Sequence, residues 1–147
     1  MVERIPRAVL GSPRGRWVVD EEGVVFPRVE SMLAERQLPV ILGISDQNLE
    51  GGARVGNLRP ALSIIMQVAR NFRDIEIRAI HMQGTDKVNM IMRFRGQKTC
   101  QALIPVGHGS NLGLLLTALQ SAILQAGRRG DPRGIFDLSF DGNVIIR

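Results

Sequence analysis

Apolar residues follow two different spacings along this 147-residue chain. Between residues 57 and 72 they recur every three or four positions, at Leu58, Leu62, Ile65, Ala69 and Phe72. That spacing predicts a helix with one apolar face, which Asn57 can cap. After the helix, apolar and polar residues alternate in IEIRAIHM, KVNMIMRF and KTCQALIP. The alternation predicts three strands joined by short hairpin turns.

Similar patterns before and after this region complete the predicted fold. RWVVD and VVFP favour a hairpin, LPVILGI favours a buried strand, and residues 29–36 allow a helical turn. A second helix is predicted from about Ser110 to Ala126, followed by a final hairpin, IFDLSF and VIIR. Short hairpin links imply antiparallel pairing, and two helices must then cover one face of the sheet. The predicted class is α+β, with a mainly antiparallel sheet and two helices on one face.

Composition limits the classes of function only weakly. Apolar residues make up 44% of the chain and charged residues 22%, which is ordinary for one soluble domain. The most apolar stretch, Leu112 to Ala126, is too short and too often interrupted to span a bilayer. The net charge of +5 allows a basic surface that binds nucleic acid or anionic lipid through Arg128, Arg129 and Arg133. The arginines are otherwise dispersed, and no aromatic residue is interleaved with Arg128, Arg129 and Arg133 to stack on bases.

Residues that could carry catalysis or bind a cofactor give weak patterns. The stretch IPVGHGSNLGLLL, Ile104 to Leu116, leads from a strand through glycines into a helix, as a phosphate-binding loop would. It lacks the Lys-Ser/Thr of a Walker loop and the glycine spacing of a dinucleotide fingerprint, so helix capping by Ser110 or Asn111 is the simpler interpretation. Cys100 is the only cysteine, on the apolar face of a strand. We therefore expect no enzyme, no cofactor and no metal site.

The C-terminal strand is the most suggestive feature of the chain. Val144, Ile145 and Ile146 form a short apolar strand without the lysine, proline or bulge that normally protects a sheet edge. Such a strand either lies inside the sheet, is covered by further chain, or accepts a partner strand. If it is a docking edge, a proline in place of Ile145 should remove a hydrogen-bond donor and greatly weaken partner binding without unfolding the domain.

Three motifs in order resemble a known family. RWVVDEEGVVFP, LPVILG and IFDLSFDGNVIIR resemble the extracytoplasmic β-domain of the FtsQ/DivIB cell-division proteins, and VERIPRAVL resembles the strand leaving their POTRA domain. The resemblance divides the chain into residues 1–11, from the POTRA domain, and 12–147, the β-domain. It implies a single-pass protein of the bacterial inner membrane whose β-domain lies on the periplasmic side.

The resemblance also implies a function and a set of residues. Proteins of this family are non-enzymatic scaffolds that hold FtsB and FtsL in the division complex and so support septal cell-wall synthesis. FtsB pairs as a strand with the last strand of the β-domain. Carried over, Phe140 takes the aromatic position of the contact, and Val144, Ile145 and Ile146 form the docking strand. Ser139 and Phe140 stand where arginine and tyrosine are usual, and RVESMLAER is an insertion.

Overall fold

The computed structural model describes residues 5–28, 38–44, 51–52, 56–83, 86–107, 111–131, 134–140 and 143–147. These residues form two helices, α1 (Arg59–Asn71) and α2 (Leu112–Arg128). A short 3-10 turn, Gly56–Leu58, leads into α1. The strands, in chain order, are β1 (Ala8–Leu10), β2 (Trp17–Val19), β3 (Val25–Pro27), β4 (Val40–Leu42), β5 (Ile75–Gln83), β6 (Lys87–Phe94), β7 (Thr99–Pro105), β8 (Ile135–Phe140) and β9 (Asn143–Ile146). The predicted helical turn at residues 29–36 lies outside the described residues.

All nine of these strands belong to one sheet, in the order β3-β2-β1-β4-β5-β6-β7-β8-β9. The three predicted hairpin regions, β2–β3, β5–β6–β7 and β8–β9, are antiparallel as expected. The pairs β1–β4, β4–β5 and β7–β8 are parallel. The α+β class is therefore confirmed, with a mixed rather than a purely antiparallel sheet. Parallel pairing arises where α1 or α2, or a longer connection, carries the chain back across the sheet.

The strand predicted to leave a preceding domain is part of this sheet. Ala8 and Val9 pair antiparallel with Val19 and Val18 of β2, and Val9 also pairs with Val40 of β4. All three residues of β1 are buried. The origin of residues 1–11 in a POTRA domain stays a prediction, but their strand is hydrogen-bonded into the sheet on both sides.

Helix α1 packs on the sheet through a wider stripe than the predicted one. Leu58, Leu62, Ile65 and Phe72 are buried as predicted, whereas Ala69 is exposed. Ala61, Ile64 and Val68 complete the buried stripe. The predicted cap at Asn57 was wrong. The 3-10 turn shifts the N-cap to Leu58, which makes no side-chain capping bond, and Pro60 occupies the first turn, where no N–H is needed.

Helix α2 is capped by Asn111, one of the two residues predicted to cap it. The Oδ1 atom of Asn111 accepts a hydrogen bond from the N–H of Leu114 at 3.2 Å. The other candidate, Ser110, lies outside the described residues. Leu116, Leu119 and Ala126 are the buried residues of this helix. Both helices contribute to one apolar core with the inner face of the sheet, so the opposite face carries no helix among the described elements.

Side-chain alternation within the sheet is interrupted in β5. Register shifts between Ile77 and Ala79, so Ile80 rather than Ala79 becomes fully buried. His81 consequently lies on the helix-free face and is exposed, opposite Asn89 of β6. Unbroken alternation through IEIRAIHM would place the side chain of His81 on the same face as those of Ile75 and Ile77. A β-bulge adds one residue to a strand and so exchanges the two faces beyond it.

Candidate functional site

The two outer strands of the sheet differ in how their free sides are closed. β3 pairs on its inner side with β2, and on its outer side the carbonyl oxygen of Val25 accepts a hydrogen bond from the N–H of Gly52 at 2.7 Å. Two residues further along, Pro27 has no N–H to offer. A proline and a bonded loop are devices that protect a sheet edge from pairing with another chain. The β3 edge is therefore closed to a further strand.

At the other edge, β9 pairs with β8 alone among the described strands. Ile135 and Arg147 exchange two backbone hydrogen bonds, with N···O distances of 3.3 and 2.8 Å. Hydrogen-bonded pairs alternate along an antiparallel ladder, so the pair of Asp137 and Ile145 is also hydrogen-bonded. The N–H of Ile145 therefore faces β8. The backbone N–H and C=O of Val144, one residue earlier, point to the outer side of the sheet.

The predicted docking residues occupy both faces of this edge strand. Val144 and Ile146 are half-buried and pack against the core on the helix side. The side chain of Ile145 is on the helix-free face, 39% exposed, and Ile135 of β8 is 36% exposed on the same face. The backbone of Phe140 pairs with Asn143, and its side chain lies outside the described residues. The edge thus offers apolar surface on both sides of a short strand.

A buried carboxylate that the sequence interpretation missed lies directly behind this strand. Asp137 is 3% exposed, although Phe136 and Leu138 on either side of it face the core. Its Oδ1 atom accepts hydrogen bonds from the backbone N–H of Ser139 at 2.9 Å and from the Ser139 hydroxyl. Its Oδ2 atom lies 3.3 Å from Nη2 of Arg147. In the sequence, the signs of this cluster are the two polar residues within IFDLSF, Asp137 and Ser139, and the arginine at position 147.

These contacts determine the charge state of Asp137. Burial by itself raises the pKa of the carboxyl group, but the two hydrogen bonds from Ser139 and the positive charges of Arg147 and Lys87 lower it, and the net pKa falls below the usual value. The carboxylate is therefore ionised at neutral pH. Its negative charge holds the guanidinium of Arg147, which is itself largely exposed, at the end of β9.

The structure adds little evidence for a function at the glycine loop, at the basic arginines or at Cys100. Residues 108–110 of the glycine loop and Arg133 of the basic group lie outside the described residues, while Arg128 and Arg129 are exposed at the end of α2. Cys100 is buried as predicted, and burial raises the pKa of its thiol. Over the described ranges, no cluster of three or more His, Cys, Asp or Glu side chains could hold a metal ion.

A groove of about 1230 Å³ lies between the β2–β3 turn and α1. Its lining includes Glu21 and Arg70, whose side chains approach to 3.8 Å, and Arg7 lies 4.0 Å from the same carboxylate. Both ion pairs are long, and the side chains of Glu21 and Arg70 are largely exposed, so each pair contributes little energy. Among its described lining residues, the groove shows no convergent set of catalytic groups.

None of the helices formed by the described residues is long and apolar enough to span a bilayer. In comparisons with known proteins, no family model and no curated protein matched this chain.

Proposed function

We propose that this chain is a non-enzymatic scaffold domain that binds a partner by strand addition at β9. The observation that carries the proposal is the asymmetry of the two sheet edges. Pro27 and the bond from Gly52 close the β3 edge, whereas at β9 the outward N–H and C=O of Val144 meet no strand of the described chain. Main-chain bonds to such an edge supply affinity, and flanking side chains supply specificity.

The side chains around β9 suit an extended partner with apolar residues on both faces. A strand laid beside β9 would place alternate residues next to Val144 and Ile146 on the helix side and next to Ile145 on the other. Burial of such side chains contributes about 25 cal/mol for each Å² removed from water. A short partner strand with a few apolar side chains can therefore gain enough free energy to bind at this edge without entering a pocket.

The resemblance to the FtsQ/DivIB β-domain supplies the identity of the proposed partner. In that family the last strand receives FtsB, which associates with FtsL, and the partners proposed here are FtsB-like and FtsL-like division proteins. The intact protein would then be anchored in the inner membrane, with this domain on the periplasmic side and a role in septal cell-wall synthesis. The helix, three-strand meander and second helix that lie between the resembling motifs also fit the order of elements that the resemblance implies.

Calorimetric titration with the membrane-distal segment of the FtsB-like protein from the same organism tests the proposal. We expect micromolar binding that changes little between low and high salt, because strand pairing does not depend on releasing counterions. A control peptide of the same sequence, N-methylated at alternate backbone nitrogens on its docking side, should not bind. Equal affinity for the N-methylated peptide would refute strand addition.

A substitution of Phe140 tests the side chain that the resemblance assigns as an anchor for the partner. Phe140→Ala should weaken binding by about 1–2 kcal/mol, or roughly 5- to 30-fold, if the ring is buried by the partner. Leu114→Ala is the matched control, because Leu114 is also a large apolar side chain, 68% exposed, but lies on α2. Equal losses for the two variants would argue against an anchor at Phe140.

Binding through the basic surface would give the opposite salt dependence. If Arg128 and Arg129 bind a nucleic acid or an anionic lipid surface, affinity for a DNA duplex or for phosphatidylglycerol vesicles should fall steeply as salt rises. Glutamine at both positions should abolish that binding and leave the peptide titration unchanged.

A further inference from the structure

Asp137 occupies an unusual place for a charged residue. Only Asp20 and Asp137 are buried charged residues among those the structure describes. Asp20 accepts hydrogen bonds from the backbone N–H groups of Glu22 and Val24 and so closes the β2–β3 turn. Asp137 instead lies within a strand, paired with Leu103 on one side and Ile145 on the other. Removing a carboxylate from water there is costly unless its partners compensate.

The partners of Asp137 connect two features of the edge that are separate in sequence. Its Oδ1 atom is bonded to Ser139, inside the segment where the β8–β9 register shifts between Asp137 and Phe140. Its Oδ2 atom is 3.3 Å from the Arg147 guanidinium, beyond the last residue of β9. One carboxylate therefore contacts both the β-bulge near the turn of the hairpin and the arginine side chain at the end opposite the turn.

This arrangement bears directly on the outer side of β9. A two-stranded hairpin is marginally stable in isolation, and an edge strand of four residues that pairs with a single described strand is where local opening is expected. The ladder bonds of Ile145 and Arg147 are the ones that keep β9 on β8. Where these bonds open, the N–H and C=O of Val144 no longer project at strand spacing.

We propose that Asp137 is the positioning residue of the docking edge. Through Ser139 and Arg147 its carboxylate holds β9 extended on β8, so that the outward N–H and C=O of Val144 are preformed for a partner strand. This inference rests on the proposed function, and it assigns the role to a residue that the partner does not touch. The lowered pKa of the Asp137 carboxyl group agrees with it, because the ionised form is the one that the edge stabilises.

Asp137→Asn tests the role of the charge with little change of shape. The amide oxygen can still accept the bonds from Ser139, but the attraction to Arg147 is lost. We expect amide hydrogen exchange at Ile145 and Arg147 to accelerate about tenfold, and affinity for the FtsB-like peptide to fall by a similar factor. Exchange at Met90, in the centre of the sheet, should not change.

A double-mutant cycle separates positioning from a general loss of stability. Arg147→Gln should reproduce the effects of Asp137→Asn, and the double variant should be no worse than either single one. Asp74→Asn is the matched control, since Asp74 pairs with Arg95 at 3.2 Å at another part of the surface. It should leave both the exchange of β9 and the peptide affinity at wild-type values.

The outcomes distinguish this inference from the proposed function. If the wild type binds the peptide and Asp137→Asn changes neither exchange in β9 nor affinity, the positioning role is refuted and strand addition stands. Additive effects of the two single variants would also refute it. If the wild type does not bind, the proposed function fails, and the docking role of Asp137 fails with it. Accelerated exchange in β9 would then show only that the carboxylate stabilises the strand.

Discussion

A pair of proline variants in β9 tests the register on which the docking edge depends. Ile145→Pro removes the N–H that faces Asp137 and leaves the carbonyl oxygen of Asp137 without its partner. The lost bond contributes about 0.5–1.5 kcal/mol and the unsatisfied acceptor about 1–3 kcal/mol, so the free energy of unfolding should fall by about 1.5–4.5 kcal/mol. For a domain of this size each kcal/mol lowers Tm by about 2–4 °C.

Val144→Pro should weaken partner binding while changing the stability of the domain little. The N–H of Val144 points away from β8, so its removal costs no ladder bond, and the half-buried side chain is replaced by one of similar size. We expect a stability loss of at most about 1 kcal/mol. Binding should weaken by roughly 5- to 150-fold, because a partner carbonyl is left unsatisfied at about 1–3 kcal/mol.

Thermal unfolding followed by circular dichroism and peptide titration of both variants measure the two effects separately. Val144→Thr retains the N–H and the branched side chain and is the matched control, with near wild-type values in both assays. The reasoning would be refuted if Val144→Pro unfolded as readily as Ile145→Pro, or if it bound the peptide with wild-type affinity. The sequence alone had selected Ile145→Pro as the docking variant. The ladder shows that this substitution tests the stability of the sheet instead.

Three further predictions follow from buried groups. Met90→Ala, at a fully buried position in β6, should lower the free energy of unfolding by about 2–5 kcal/mol in urea titrations, with an unchanged m-value. The pKa of the Asp137 carboxyl group is lower in the folded state than in the unfolded state. The ionised carboxylate therefore stabilises the fold above the unfolded pKa of about 3.9, and this stabilisation is lost as the pH falls through the folded pKa. The acid transition of Asp137→Asn should therefore be shallower than that of wild type in chemical unfolding at pH 2–6. Cys100 should react with a thiol reagent at neutral pH only at the rate of domain opening, because burial raises the pKa of its thiol; rapid labelling in native buffer would contradict this.

Local patterns determined the strands and helices well, and the pairing of distant strands less well. Alternation and turn residues correctly predicted the hairpins, since both signals act between neighbours in the sequence. The parallel pairing of β4 with β5 and of β7 with β8 depends on how α1 and α2 pack, which no local window contains. The bulge in β5 was likewise not predicted, because it shows only in the pairing of β5 with β6 and not in the sequence of β5 alone. Because of the bulge, His81 lies on the face opposite the one that unbroken alternation would give it.

For the candidate site, the sequence identified the strand but not the groups that hold it. An apolar terminal strand is recognisable from Val144 to Ile146, whereas the role of Asp137 requires the bulge that brings Ser139 to it and the register that brings Arg147 across. A charged residue within a strand pattern is ordinarily assigned to a solvated face. Its burial on a face without a helix was therefore not predictable from spacing.

The way in which β8 enters the sheet bears on the proposed docking of a partner strand at its hairpin. β8 pairs in parallel with β7, and α2, which connects them, packs against both β8 and β9. Leu116 and Leu119 of α2 are fully buried in the same core as Phe136 and Leu138. An isolated hairpin would have to be ordered when the partner binds, at a cost in conformational entropy. Here the core beneath the hairpin and, under our proposal, the Asp137–Arg147 pair on its other face would order β9 before a partner arrives. A partner strand would then lose little of its binding energy to organising the surface that receives it, which is the condition under which a short strand can bind specifically.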